Sequence, residues 1–291
     1  MIPPWPEGAR ATAPLVSRYE DVAQDGHVML IALPHALGVV WRAMLAENAA
    51  TRSIRESGIV PILARIVLEG GDGPVSVDAK MEASGAFDLS HVVGPDGDVE
   101  RILANMWAEL TAERGRTYGP PPQGAGERIV VGRVYAEHVF TRIFAPPAER
   151  KVLRLEAPGL PPVPARAQAW RRPDAIVELP DGAKPLDTAP VLDDTTTVFG
   201  VAHTDSNQHV NSLVYPQLFE DVALRRLADL GRPTAALLAR RAEIGWRRPC
   251  FAGERVRWLL QAFEHDGALG VAGTLLGADD AKPRCYVQMR F

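Results

Sequence analysis

A stretch with helical periodicity followed by a train of strand-like segments occurs twice in this chain. That recurrence restricts the folds open to it more than any other feature. In the second half, Phe219, Val222, Ala223, Leu227 and Leu230 fall on one face of a helix. Gly231 and Pro233 stop it, and Pro216 can stand only near its start, where a missing N–H costs nothing. A strand is predicted before it, over residues 195–201, and others after it, over 241–247 and 255–263. In the last of these, Val256, Trp258, Leu260 and Ala262 alternate with their neighbours. Asp266-Gly267 marks a hairpin turn into a strand over 269–276, and a final strand spans 284–291.

The first half repeats the order. Residues 27–33 read as a strand and 36–55 as a helix, with Leu37, Val40, Trp41, Met44 and Leu45 on one face and Gly58 closing it. Strands are predicted at 59–69, 75–87 and 128–144. The first two are joined through Gly70-Gly71-Asp72-Gly73, a turn and not a phosphate loop because no Lys-Ser/Thr follows. Residues 101–113 place Ile102, Leu103, Met106, Trp107 and Leu110 at helical spacing, which predicts an extra helix with no counterpart in the second half. Pro158-Gly159-Leu160-Pro161-Pro162-Val163-Pro164 is stiff and extended, as linkers are. The expectation is an α+β protein with one unit over residues 1–157, a linker over 158–170 and a second unit over 171–291. The pattern is duplicated; the residues are not.

Length agrees, since 291 residues suit two domains. A hydrophobic share of 46% supplies material for a core and excludes long-range disorder. A net charge of −4 with no polybasic run gives no reason to expect nucleic acid as a partner. No run of apolar residues is long enough for a membrane span, and the N-terminal residues lack the pattern of an export signal. A cytoplasmic location is therefore expected, with Cys250 and Cys285 as reduced thiols.

The chemistry concentrates in His203-Thr204-Asp205-Ser206-Asn207-Gln208-His209-Val210-Asn211-Ser212-Leu213-Val214-Tyr215. Asp205, Asn207 and His209 alternate in the turn between a predicted strand and a predicted helix, so their side chains can be aimed into one pocket. The helix start adds unpaired N–H groups and a partial positive charge, suited to a developing oxyanion. A carboxylate can activate water or attack directly, while Asn and His orient substrate, water or the carboxylate. Hydrolysis at a carbonyl uses all three. The same residue types also serve simply as caps and Asx turns before a helix. His203, Asp205 and His209 are candidate metal ligands, but their spacing matches no standard zinc signature and no metal is expected. The absence of a G-x-S-x-G elbow argues against a serine hydrolase of the α/β type. His35 stands alone and reads as structural.

The stretch from Val201 to Tyr215, followed by Phe219-Glu220 and Ala223, resembles the hotdog-fold thioesterases. In particular it resembles the acyl-acyl carrier protein (acyl-ACP) thioesterases of fatty-acid synthesis, whose motif runs D-x-N-x-H-V-N-N with a Tyr shortly after. Asp205, Asn207, His209, Val210, Asn211 and Tyr215 match; Ser212 replaces the second Asn. The likeness is looser from Glu243 to Arg257 and one of architecture alone in the first half. It implies a tandem double hotdog, each repeat an antiparallel sheet wrapped around a central helix. The C-terminal repeat would be catalytic and the N-terminal repeat a non-catalytic wall of the acyl pocket. Trp41, Met44, Met106 and Trp107 are candidates to line that pocket, or are ordinary core residues.

The activity implied is hydrolysis of acyl-CoA or acyl-ACP thioesters to free acid and thiol. Asp205 would be general base or nucleophile, Asn207 would hold the water or the thioester carbonyl, and His209 would orient the carboxylate or relay a proton. The N–H groups of Val210 and Asn211 would face the oxyanion. No cofactor is implied. The partners would be acyl-CoA or acyl-ACP, an acyl carrier protein, and in a homodimer a second copy of the chain. Arg225-Arg226 and Arg240-Arg241 read as solvated helix faces, with phosphate or an acidic carrier as the other reading. The family carries R-R-E-C on the strand after the helix, where this chain has Trp246-Arg247-Arg248-Pro249-Cys250. Cys250 is thus a further candidate site residue, and with no adjacent group to lower its pKa it is not expected to be the nucleophile. Pro249, standing where the family has Glu, and the divergent first half motivate a second function, an acyl-thioester-binding protein without turnover. A hotdog dehydratase is the third.

Overall fold

A computed structural model describes residues 2–8 and 10–291. The chain divides into two compact units between Trp170 and Arg171. In the first, β1 (Ala11–Val16), β2 (Val60–Gly70), β3 (Lys80–Val93), β4 (Val99–Glu113) and β5 (Arg128–Thr141) form an antiparallel sheet of order β1-β3-β4-β5-β2. A short β6 (Arg166–Ala167) runs parallel to β3. The strand expected over 75–87 therefore starts later, at Lys80.

Residues 101–113, expected as a helix, are strand β4. Every residue from Ile102 to Ala108 is buried, because β4 lies mid-sheet with both faces covered. A strand buried on both faces carries no alternation, and a continuous apolar run matches helical spacing by default. Residues 27–33, expected as a strand, lead instead into the 3-10 turns Leu30–Ala36. The helix expected over 36–55 is broken into α1 (Leu37–Val40), a π-helical turn (Trp41–Leu45) and α2 (Ala49–Glu56), with a bend of 98° at the break. Asn48 restarts the helix there: its side-chain oxygen accepts the Ala50 N–H at 2.9 Å, an N-cap. Gly58, at φ 74, ends it as expected. Among the described residues the first unit thus has no single central helix.

Register puts Phe87, Leu89, Ala104, Met106 and Phe140 on the sheet face that meets these helical pieces. The opposite face carries a buried polar cluster. Glu137 Oε1 accepts from Arg65 Nη1 at 2.8 Å and Gln168 Nε2 at 3.0 Å. The Tyr135 hydroxyl lies 2.9 Å from both Glu137 Oε1 and Asn105 Oδ1, and Asn105 Nδ2 donates to Ser90 Oγ at 2.8 Å. Gln168 thereby ties the end of the first unit to its own sheet.

In the second unit, β10 (Arg241–Trp246), β11 (Arg255–His265), β12 (Ala268–Gly277) and β13 (Pro283–Arg290) are antiparallel in the order β10-β13-β12-β11. Three two-residue strands, β7 (Lys184–Pro185), β8 (Val191–Leu192) and β9 (Thr197–Val198), pair along the far side of β11. The strand expected over 195–201 is reduced to β9, because Val201–His203 turn into a 3-10 helix. Helix α3 (Val214–Asp229) packs on β11 and β13 and buries Phe219, Val222, Ala223 and Leu227, the face its spacing required. Phe219 lies 4.8 Å from the Trp258 ring and so close over Gly273 that a Cβ there would collide with it. Asp266 (φ 53) and Gly267 (φ 75) make the expected hairpin turn. No single helix among the described residues is long and apolar enough to cross a membrane.

Candidate active site

The loop entering α3 is closed by its own backbone. Thr204 and Val210 form an isolated antiparallel bridge. Asp205 N–H donates to the His209 carbonyl at 3.1 Å, and Gln208 N–H to the Asp205 carbonyl at 2.9 Å. Gln208 takes the left-handed step this tight turn needs, at φ 64. The half-buried Asp205 makes an Asx turn: its Oδ1 accepts the Asn207 N–H at 2.8 Å, and Oδ2 lies 3.4 Å from Asn211 Nδ2. Asn211 starts the helix, with Oδ1 accepting Leu213 N–H at 2.9 Å and its carbonyl accepting Val214 N–H at 3.0 Å.

The three expected catalytic residues therefore share one short loop, with different surroundings. The Asn207 side chain is exposed, and half-buried His209 has Nδ1 3.4 Å from the Val210 carbonyl. No hydrogen bond joins the side chains of Asp205, Asn207 and His209 among the described residues. His203 Nδ1 accepts the Gly200 N–H at 3.0 Å, and its ring meets Phe199 edge-on, so it supports the loop. No group of three His, Cys, Asp or Glu side chains among the described residues converges as metal ligands would.

Cys250 belongs to the same corner. Its carbonyl accepts the Val210 N–H at 2.8 Å, and its own N–H donates to the Tyr215 hydroxyl at 3.2 Å. Loop, first turn of α3 and the residues after β10 are thus fastened at one point. Nothing in the sequence announces Tyr215 as that joint except its place in the motif. Burial pushes the Cys250 thiol up to about 11, and burial beside Cys250 pushes the Tyr215 phenol well above its ordinary range. At neutral pH Cys250 is a protonated, packed thiol.

The N–H groups expected to face an oxyanion are already engaged. Val210 N–H donates to Cys250, and Asn211 N–H to the His203 carbonyl at 2.9 Å. The motif's turn closes through these two groups, which the sequence pattern does not reveal. The N–H groups of Ser212 and Tyr215 have no partner among the described residues, and Pro216 has none to offer. The arginine pairs are also engaged. Arg225 Nη2 lies 2.8 Å from Asp193, and Arg226 pairs with buried Asp187, which also accepts the Ala262 N–H at 2.7 Å. Arg226 is therefore half-buried and not on a solvated face. Arg241 lies 3.8 Å from Glu243.

In the first unit His35 is exposed. Trp41 and Met106 line a cavity of about 150 Å³ between α2 and the sheet. Met44 packs against Val40, Leu45 and Met106. Trp107 lies on the opposite sheet face, 5.0 Å from the Tyr135 ring.

No protein-family model matches the sequence, and no curated protein matches it. Solved structures do. An acyl-ACP thioesterase from Bacteroides thetaiotaomicron aligns over 96% of this chain and 96% of its own, with a TM-score of 0.60 and 14% identity. The 12:0-ACP thioesterase of Umbellularia californica aligns over 98% of both chains, with a TM-score of 0.55 and 12% identity. At these identities the likeness speaks for the fold. Over nearly its whole length this chain has the hotdog-type fold of the acyl-ACP thioesterases, as the motif implied.

Proposed function

We propose that the protein hydrolyses acyl thioesters at the loop over residues 203–211. The observation that carries this reading is the position of Asp205, Asn207 and His209 at the entrance to α3, in a chain whose fold matches two acyl-ACP thioesterases end to end. Asp205, held by Asn207 N–H, takes the proton of an attacking water or attacks the carbonyl carbon itself. Direct attack expels the thiolate and leaves a mixed anhydride that water then hydrolyses to the free acid, one water proton passing to the thiolate. Asn207 holds the water or the thioester carbonyl, and His209 orients the carboxylate or relays the proton. Charge developing on the carbonyl oxygen falls to the unengaged N–H groups of Ser212 and Tyr215, at the positive end of α3. In the base-catalysed form, the water oxygen bonds to the carbonyl carbon and the C–S bond breaks. The thiol leaves with the proton that Asp205 took, and the acid is released.

Both named neighbours act on acyl-ACP, which favours a carrier-bound substrate, with acyl-CoA as the soluble equivalent. In this reading α3 is the central helix of a catalytic repeat over 171–291. Residues 1–157 form the non-catalytic repeat, with 158–170 between them. The engaged Val210 and Asn211 N–H groups favour a second reading, binding of acyl thioesters without turnover. Thiol release from a panel of acyl-CoA and acyl-ACP substrates separates the two. Steady turnover on part of the panel is expected; saturable binding with no thiol released supports the second reading.

A further inference from the structure

Strand β5 ends at Thr141, and the chain then turns back beside it. Arg142 N–H donates to the Arg150 carbonyl at 3.0 Å, and Thr141 forms an isolated antiparallel bridge with Lys151. Phe144, in the loop so closed, is 90% exposed, more than any other aromatic side chain among the described residues. Ile143 before it and Leu153 just beyond the loop are exposed as well. Over residues 142–154 four cations, Arg142, Arg150, Lys151 and Arg154, stand against one acid, Glu149. None of the four is in an ion pair among the described residues. Arg142 and Arg150 reach only main-chain carbonyls, those of Lys151 at 3.5 Å and Ala145 at 3.0 Å. A chain with a net charge of −4 therefore carries a local excess of positive charge around its most exposed aromatic ring.

The loop is also suited to leaving water. Ala145 N–H donates to the Arg142 carbonyl at 3.2 Å and Glu149 N–H to the Pro146 carbonyl at 2.8 Å, while Pro146 and Pro147 have no N–H to desolvate. A stable protein partner needs a broad complementary patch. A single projecting ring flanked by unpaired cations matches instead the boundary between headgroups and acyl chains, where apolar insertion and attraction to anionic lipid act together. We propose that the loop over residues 142–154 docks the first unit on an anionic lipid surface. Phe144 and Ile143 enter the boundary, and Arg150, Lys151 and Arg154 meet the lipid phosphates. Screening confines this attraction to about 10 Å, so the local charge decides and the negative charge of the whole chain counts for little. The proposal does not rest on the hydrolysis reading, since docking needs no thioester.

The test is co-sedimentation of the full chain with vesicles of phosphatidylcholine alone and of phosphatidylcholine mixed with phosphatidylglycerol. The protein binds the mixed vesicles, less so as salt is added, and leaves the neutral ones unbound. Phe144→Ser lowers the partition coefficient about tenfold. Lys151→Gln combined with Arg154→Gln lowers it about twentyfold, near fivefold for each cation removed. All three side chains are exposed, so melting temperatures stay at the wild-type value and a loss of binding is not a loss of fold. Binding to neither vesicle, equal binding to both, or binding untouched by Phe144→Ser each overturns the proposal. A dimer of this chain, or a complex with an acidic protein, that Phe144→Ser abolishes while no vesicle is bound assigns the loop to a protein partner and overturns it equally. Because no thioester enters the assay, its failure is distinguishable from failure of the hydrolysis reading.

Discussion

The Asp205 carboxylate is held by the main chain of its own loop and not by His209, whose ring Nδ1 faces the Val210 carbonyl. The turn uses the same oxygen atoms that the proposed chemistry would need, which is why cap and catalyst look alike in the sequence. Cys250 is easier to assign. Its folded-state value of about 11 stands above its ordinary 9.0 because burial disfavours the thiolate. A raised value means that the native state holds the proton more tightly than the unfolded chain. This contribution is complete below about pH 9 and is lost as pH rises through about 11. Chemical denaturation at stepped pH should therefore show stability falling across that window, less so in Cys250→Ser. Iodoacetamide should leave Cys250 unmodified at neutral pH until the protein unfolds. The same variant should retain most hydrolysis, and a covalent acyl adduct on Cys250 would contradict its assignment as a packed thiol.

At the scale of elements, α3 was legible because one apolar face recurs between a clear start and the stop at Gly231. The hairpin at Asp266-Gly267 was legible for a local reason too: both residues adopt positive φ. What failed was non-local. Strand β4 is covered on both faces, so Ile102 to Leu110 kept no alternation to read. The break between Leu45 and Ala49 depends on how Asn48 caps a new helix, and Asn within an apolar-periodic stretch does not announce that. Close helix-to-sheet approach is also hidden, although glycine marks it once the partners are known. Gly273→Ala must displace the Phe219 ring and should destabilise the protein by about 1–3 kcal/mol in chemical denaturation. Asn48→Ala should lower stability by about 1 kcal/mol through the lost cap.

At the scale of the whole molecule, the fold matches that of acyl-ACP thioesterases over nearly the entire chain. The motif in the second half could be read because its residues are contiguous. The joint between Val210, Tyr215 and Cys250 could not, because it unites residues far apart in sequence. Whether that corner performs chemistry turns on one side chain. Asp205→Asn keeps an oxygen for the Asn207 N–H at 2.8 Å and gives up only the long 3.4 Å contact with Asn211 Nδ2, so the turn should be kept and the melting temperature should change little while the base is lost. The direct measurement is thiol release by wild type and Asp205→Asn on the best substrate of the panel, with thermal melts alongside. A fall of about a hundredfold or more at unchanged melting temperature is predicted. Equal turnover by the two proteins would contradict the account.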